Sequence, residues 1–252
     1  MNEHIELIDN TYSWKTITLY EFLYSGNIPD NWKEFFYEDN VQSEIRSISE
    51  YLSNESKKNI IYPPIYQVFR AFYLTPLHKI KAVILGQDCY HSGNNEYDGS
   101  AVGICFSVRA GNTVNPSLRN IYNELDREGL LRTKRDGNLI HWTKDIMMLN
   151  ASLTVTKGCA GSHSKIWSLF TEYLVKYISK YSDNVVWILF GNHACSYIPL
   201  IDKTKNKVIA TSHPSPYSYK KTTLISPAFY GSNVFQNINE YLCSIDKKPI
   251  EW

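Results

Sequence analysis

Four side chains able to do chemistry fall within five positions: Gln87, Asp88, Tyr90 and His91, an amide, a carboxylate, a phenol and an imidazole. They follow Gly86, which ends the apolar run 82–85, a run with the length and branching of a buried strand. In an open parallel α/β sheet, ligands bind just beyond the carboxyl ends of strands, so this cluster is a site candidate. A second apolar run, 102–108, closes the segment. Such runs usually serve the core, and Phe106 within it adds a flat apolar face. A carboxylate beside an aromatic platform suits a planar ring substrate.

The elements that must position this cluster can be read from apolar spacing. Residues 18–24 read as a short helix within an otherwise aperiodic start. Val41, Ile45, Ile48 and Leu52 fall at helical spacing, which predicts an amphipathic helix over 40–52. Tyr62-Pro63-Pro64 is a loop, because two prolines fit neither a helix interior nor a central strand. A short helix is expected over 65–74, with Ile65, Val68, Phe69 and Phe72 on one face. Asn115 is placed to cap a helix over 117–128, with Pro116 at its first position. Further helices are expected over 164–179 and 234–242. Three more apolar runs, 146–149, 185–190 and 207–211, read as strands. Each of the four strands is followed by glycine or a polar group, and helices mostly separate them. This order predicts one α/β domain with a central, mainly parallel four-stranded sheet flanked by helices. It brings Asp88, Asn150, Asn192 and His213 to one edge.

Bulk properties narrow the function further. A chain of 252 residues can bury a substantial core as one large domain. The net charge of +1 lacks the basic excess of a non-specific duplex binder, so any phosphate binding must come from local groups. No apolar run is long enough to span a membrane, and the start MNEHIELIDN lacks the pattern of a signal peptide. Five scattered cysteines without a CxxC pair indicate neither a disulfide framework nor a metal site, and fit a reducing intracellular compartment.

GQDCYH (86–91), GICFSV (103–108), MLNASLTV (148–155) and HPSPYS (213–218) together resemble the motifs of the main uracil-DNA glycosylase family. Tyr62-Pro63-Pro64 and the terminal KPIEW are also similar to its pattern. The resemblance runs over 29–252 in one order and leaves 1–28 as an N-terminal extension or arm. It implies excision of uracil from single- or double-stranded DNA by a monomer without metal or cofactor. In this reading Phe106 stacks on the flipped ring, and the Asn150 amide matches the O4 and N3–H edge of uracil. Tyr90 crowds carbon 5 against the thymine methyl, and Gln87 supplies main-chain contacts. Asp88 stabilises the oxocarbenium-like sugar and orients a water, while His213 hydrogen-bonds O2 as negative charge develops there. Ser117, Gly191, Asn192 and Ser215 resemble the loops that grip phosphates around the flipped nucleotide, and Lys165, Lys220 and Lys221 add long-range attraction.

Three positions depart from the family pattern. Cys89 stands where proline is usual, Asn192 where serine is usual, and Tyr217 where a leucine wedges into the duplex. A phenol at 217 is expected to wedge as well. A second reading keeps the fold and the DNA binding but drops the chemistry, giving an accessory or replication-scaffold protein. Asp88, Asn150 and His213 speak against it, since a scaffold has no need of them. The two roles combine if residues 1–28 bind replication proteins. A third reading, a thymine or mismatch glycosylase, requires a small residue where Tyr90 stands.

Overall fold

The four runs expected to be strands pair side by side. The computed structural model describes residues 12–109 and 111–252. Within it the chain forms α1 (Leu19–Tyr24), α2 (Lys33–Phe36), α3 (Asp39–Ser56), β1 (Ile61–Tyr62), α4 (Arg70–Leu74), β2 (Ala82–Gly86) and α5 (Pro116–Arg127). There follow β3 (Ile146–Asn150), β4 (Val155–Thr156), α6 (Ser164–Tyr181), β5 (Val186–Phe190), α7 (Gly191–Cys195), β6 (Lys207–Thr211) and α8 (Val234–Ser244). The main sheet has the order β3-β2-β5-β6, and every pair in it is parallel. β1 and β4 make a separate antiparallel pair.

Helices on both faces explain why these strands are continuous apolar runs rather than alternating ones. Val83, Leu85, Met147, Leu149, Trp187 and Leu189 point into a core shared with Leu19, Ile45, Phe72, Trp167 and Phe170. The intervening Ala82, Ile84, Ile146, Met148, Val186 and Ile188 point the other way, onto Leu118, Ile121 and Leu125 of α5 and Phe235 and Ile238 of α8. The chain leaves β2 for β3 on one side, then crosses to β5 on the other. That reversal of direction is the topological switch point at which α/β sheets open a crevice.

Two local outcomes differ from the sequence reading, at 65–74 and at 12–28. The run 102–108, for which the sequence predicts no element, is buried and forms no strand. Gly103 takes a left-handed φ of 71° where a Cβ would strike the Gln67 carbonyl and Arg70, and Phe106 has φ 60°, so the backbone turns too sharply to join a ladder. The helix expected over 65–74 splits into a 3₁₀ turn (Ile65–Gln67) and α4. Residues 12–28, expected to lie outside the catalytic body, place Trp14, Leu19, Phe22, Leu23 and Ile28 in its core. There Thr18 and Glu21 form a capping box that starts α1. Residues 1–11 of the expected arm lie outside the described residues.

Candidate active site

Parallel pairing sets the carboxyl ends of the strands along one edge. Gly86 pairs with Asn150 in register. The N–H groups of Ala151 and Ser152 donate to the carbonyls of Gly86 and Gln87 at 2.8 and 3.0 Å, so the two strand ends stay locked together as they leave the sheet. A Cβ at Gly86 would run into Asn150 Oδ1, which is why this position takes glycine. Gly191 follows β5 with φ 84°, and a Cβ there would lie 2.9 Å from His213 Cβ. Glycine at both strand ends therefore lets two functional side chains come close to backbone.

A cleft of about 240 Å³ opens at this edge. Gln87, Asp88, Tyr90, Phe106, Ser117, Asn150 and His213 all line it. Phe106 is 9% exposed, with its ring centroid 5.9 Å from that of His213 and 6.1 Å from that of Phe190. Its left-handed backbone costs roughly 1–3 kcal/mol, which the surrounding packing must offset. Part of that support is the Tyr90 hydroxyl, which donates to the Phe106 carbonyl at 3.2 Å. Burial pushes the Tyr90 phenol up to about 12, against a hydrogen bond from the Asn115 side chain, so it stays neutral. Asn115 precedes α5 in extended conformation, as expected for a cap, but makes no side-chain cap bond to the helix.

Asp88 is half-buried and accepts the Gly161 N–H on Oδ2 at 2.6 Å. That bond fixes one carboxylate oxygen. His213 accepts the Ser215 N–H on Nδ1 at 3.1 Å. In the neutral ring the proton must then sit on Nε2. Burial holds the His213 imidazole below the usual histidine range, and the charge of Asp88 opposes this only in part. His213 is thus a neutral ring with Nε2–H as its donor. The loop that carries it is braced at several points. Asn120 Nδ2 donates to the Pro214 carbonyl at 2.8 Å, and Ser218 Oγ donates to the His213 carbonyl at 3.0 Å.

Of the residues expected to touch DNA, Ser117 lines the cleft, while Gly191, Asn192, Ser215 and Tyr217 surround it. Gly191 backs His213, and Ser215 holds its tautomer. Asn192 is exposed, and Tyr217 projects from the loop with 85% of its surface exposed. Ser117 lies in the first turn of α5, where unpaired N–H groups favour an anion.

Two participants were not singled out from sequence. Gly161 grips Asp88 from 73 positions away, and only the turn-like GCAG stretch (158–161) hinted at a loop there. Cys89 was noted only as a departure, yet its sulfur touches Asn150.

Comparison with known proteins gives a consistent result. The model of the uracil DNA glycosylase superfamily matches residues 72–243. The chain is 40% identical to the uracil-DNA glycosylase of Campylobacter curvus over 227 residues, covering 89% of this chain and 93% of the relative. It is 37% identical to uracil-DNA glycosylase 2 of Streptomyces coelicolor, with coverage of 89% and 95%. The crystal structure of mimivirus uracil-DNA glycosylase superposes with a TM-score of 0.83 at 31% identity, over 88% of this chain and 86% of that one. A matching family model over most of the chain, relatives at this identity and a shared fold agree: the chain belongs to the uracil DNA glycosylase superfamily.

Proposed function

We propose that this protein removes uracil from DNA by hydrolysing the bond between the base and its deoxyribose, leaving free uracil and an abasic site. The observation that carries the proposal is the meeting of Asp88 and His213 in one cleft with Phe106 and Asn150, on loops from different strand ends.

The base must leave the duplex to enter such a cleft. Phe106 offers a face for the ring, and Asn150 offers an amide donor and acceptor for O4 and N3–H. Tyr90 stands against carbon 5, where thymine carries its methyl group. As the C1′–N1 bond breaks, its electron pair leaves with uracil and positive charge builds on the sugar. His213 Nε2–H stabilises the charge that reaches O2, and a neutral donor there parallels other electrophilic histidines with lowered pKa. The Asp88 carboxylate stabilises the cationic sugar and orients the water that adds to C1′. Its Oδ2 is held by Gly161, which leaves Oδ1 for these tasks. Ser117, Gly191, Asn192 and Ser215 grip phosphates, and Tyr217 enters the gap left by the flipped base. Phosphate grip by loop amides and short side chains supports DNA binding at a net charge of only +1.

The reading includes a monomer acting in a reducing intracellular compartment, supported by five unpaired cysteines, three of them buried. Among the described residues no helix is long and apolar enough to cross a membrane. It also holds residues 1–28 as the segment through which replication proteins dock. Comparing capture of such proteins by the full chain and by a chain lacking residues 1–11, each checked for folding by its urea midpoint, tests the docking.

The test of the proposal is incubation with labelled oligonucleotides, single- and double-stranded, each carrying one uracil, thymine or cytosine at the same position. Alkali-sensitive cleavage at uracil alone supports it. Binding to DNA without cleavage would favour the scaffold reading.

A further inference from the structure

Asn150 Nδ2 lies 3.4 Å from Cys89 Sγ. That sulfur lies 3.3 Å from the Leu153 carbonyl oxygen and 3.5 Å from that of Ser152. The direction of these bonds follows from what each group can do. A carbonyl only accepts, so the single thiol hydrogen is committed to Leu153 or Ser152. The sulfur is then left as an acceptor toward Asn150. Only the NH₂ end of an amide can face an acceptor. Cys89 is 5% exposed, and burial pushes its thiol up to about 12, so the hydrogen that sets this direction stays in place.

We infer that Cys89 is a positioning residue: by accepting from Nδ2 it fixes which way round the Asn150 amide sits, and so which base edge the cleft reads. Nδ2 is turned to Cys89, and Oδ1 lies against Gly86, where a Cβ would strike it. The second amide hydrogen and Oδ1 remain for a ligand. In this sense they match an edge with an acceptor beside a donor, as O4 and N3–H of uracil. Turned over, the same amide would match a donor beside an acceptor, the edge of cytosine. A buried polar mismatch discriminates strongly, so the sense of one amide decides between the two bases. The ring of proline, which the family pattern places at this position, has no atom that can accept from Nδ2. The sense-setting contact is therefore particular to a chain with a thiol here.

This inference rests on the uracil reading of the cleft, and its test separates the two. Wild-type protein, Cys89→Ala and Cys89→Ser are labelled with ¹⁵N, and the Asn150 side-chain amide signal is assigned by its disappearance in Asn150→Asp. Binding of free uracil and of free cytosine is measured by titration on the same samples, with urea midpoints to show that each variant folds. In the wild type the Nδ2 proton bonded to sulfur is expected to exchange slowly with water and to resonate away from its free-amide position. Cys89→Ala returns that proton toward the free-amide position with fast water exchange, weakens uracil binding roughly three- to tenfold, the worth of one modest hydrogen bond, and narrows the ratio of uracil to cytosine affinity. Cys89→Ser, whose hydroxyl accepts and donates in the same pattern, is expected to keep both the signal and the ratio. An unchanged signal and ratio in Cys89→Ala would overturn the inference. Equal losses in Cys89→Ser and Cys89→Ala would also overturn it, by assigning the effect to the volume of sulfur. A wild-type protein that shows the amide signature yet neither binds nor excises uracil would sink the glycosylase reading, and the specificity half of this inference with it, while supporting the lock on the amide.

Discussion

Replacing His213 with alanine removes the donor proposed to face uracil O2, and the structure separates what this costs the reaction from what it costs the fold. Loss of a preorganised donor to a developing anion costs roughly 3–4 kcal/mol of transition-state stabilisation, or about 10²–10³ in rate. The structural losses are smaller. The Ser215 N–H loses its acceptor Nδ1, but Ser215 is only half-buried, so water can replace it at a cost of about 1 kcal/mol. The tilted contact with Phe106 at 5.9 Å contributes another ~0.5–1.5 kcal/mol. Together these lower the melting temperature by roughly 5 °C in a domain of this size. The donor acts mainly on charge that develops during bond breaking, so binding of uracil-containing DNA should change little. The assay is single-turnover excision with enzyme in excess over a labelled oligonucleotide, beside DNA affinity measured on an abasic-site duplex. A drop of about two to three orders of magnitude in the excision rate with affinity retained is expected. A loss below about tenfold in a folded variant would refute the assignment of His213 as the O2 donor.

Other perturbations test other parts of the site. Tyr90→Ala opens the space beside carbon 5 and should raise thymine excision, relative to uracil, by roughly tenfold or more in the same assay. Tyr217→Ala should reduce base flipping, read as fluorescence of 2-aminopurine beside the uracil, while Tyr217→Leu should largely restore it; no change in either variant would show that Tyr217 does not wedge. His163 tests stability rather than chemistry. It is fully buried between Thr154 Oγ1 at 2.8 Å and Thr156 Oγ1 at 3.0 Å, and burial depresses its imidazole from 6.5 to about 4. Between these values the unfolded chain binds a proton that the folded one does not, so stability falls as pH drops from about 6.5 toward 4 and levels off below. The contribution lost by pH 5 is about 2 kcal/mol, measurable as a lower urea midpoint, and His163→Gln should flatten that part of the profile.

The sheet was legible because β2, β3 and β5 are buried on both faces, which forces continuous apolar runs, and the partly buried edge strand β6 keeps a short run of the same kind. The helices 164–179 and 117–128 were legible from one apolar stripe each, and Trp167, Phe170 and Leu118 indeed face the core. The edge of the sheet followed from strand order alone, which is why Asp88, Asn150 and His213 could be placed together. What sequence could not give was backbone that turns against composition. Residues 102–108 are as apolar as a strand, but their path is set by Gly103 against Gln67 and by the left-handed Phe106. Nor could it give contacts made across long separations. The grip of Gly161 on Asp88, and of Cys89 on Asn150 from 61 positions away, depends on where loops return rather than on local pattern. The capping box at Thr18 was readable, but whether 12–28 packs onto the body depends on the aromatic core it meets, which includes Phe36, Phe69 and Phe72.

Asp88 is proposed to serve the cleavage of a base held between Phe106, Asn150 and His213. The most direct measurement is release of free radiolabelled uracil from a duplex with one uracil, by the wild type and by Asp88→Asn. The amide still accepts the Gly161 N–H through its oxygen, so the loop keeps its geometry and only the charge facing the sugar is lost. The wild type is expected to release uracil stoichiometrically, and the variant to have a single-turnover rate lower by at least ~100-fold with DNA binding intact. Release by Asp88→Asn at close to the wild-type rate would contradict this role of Asp88.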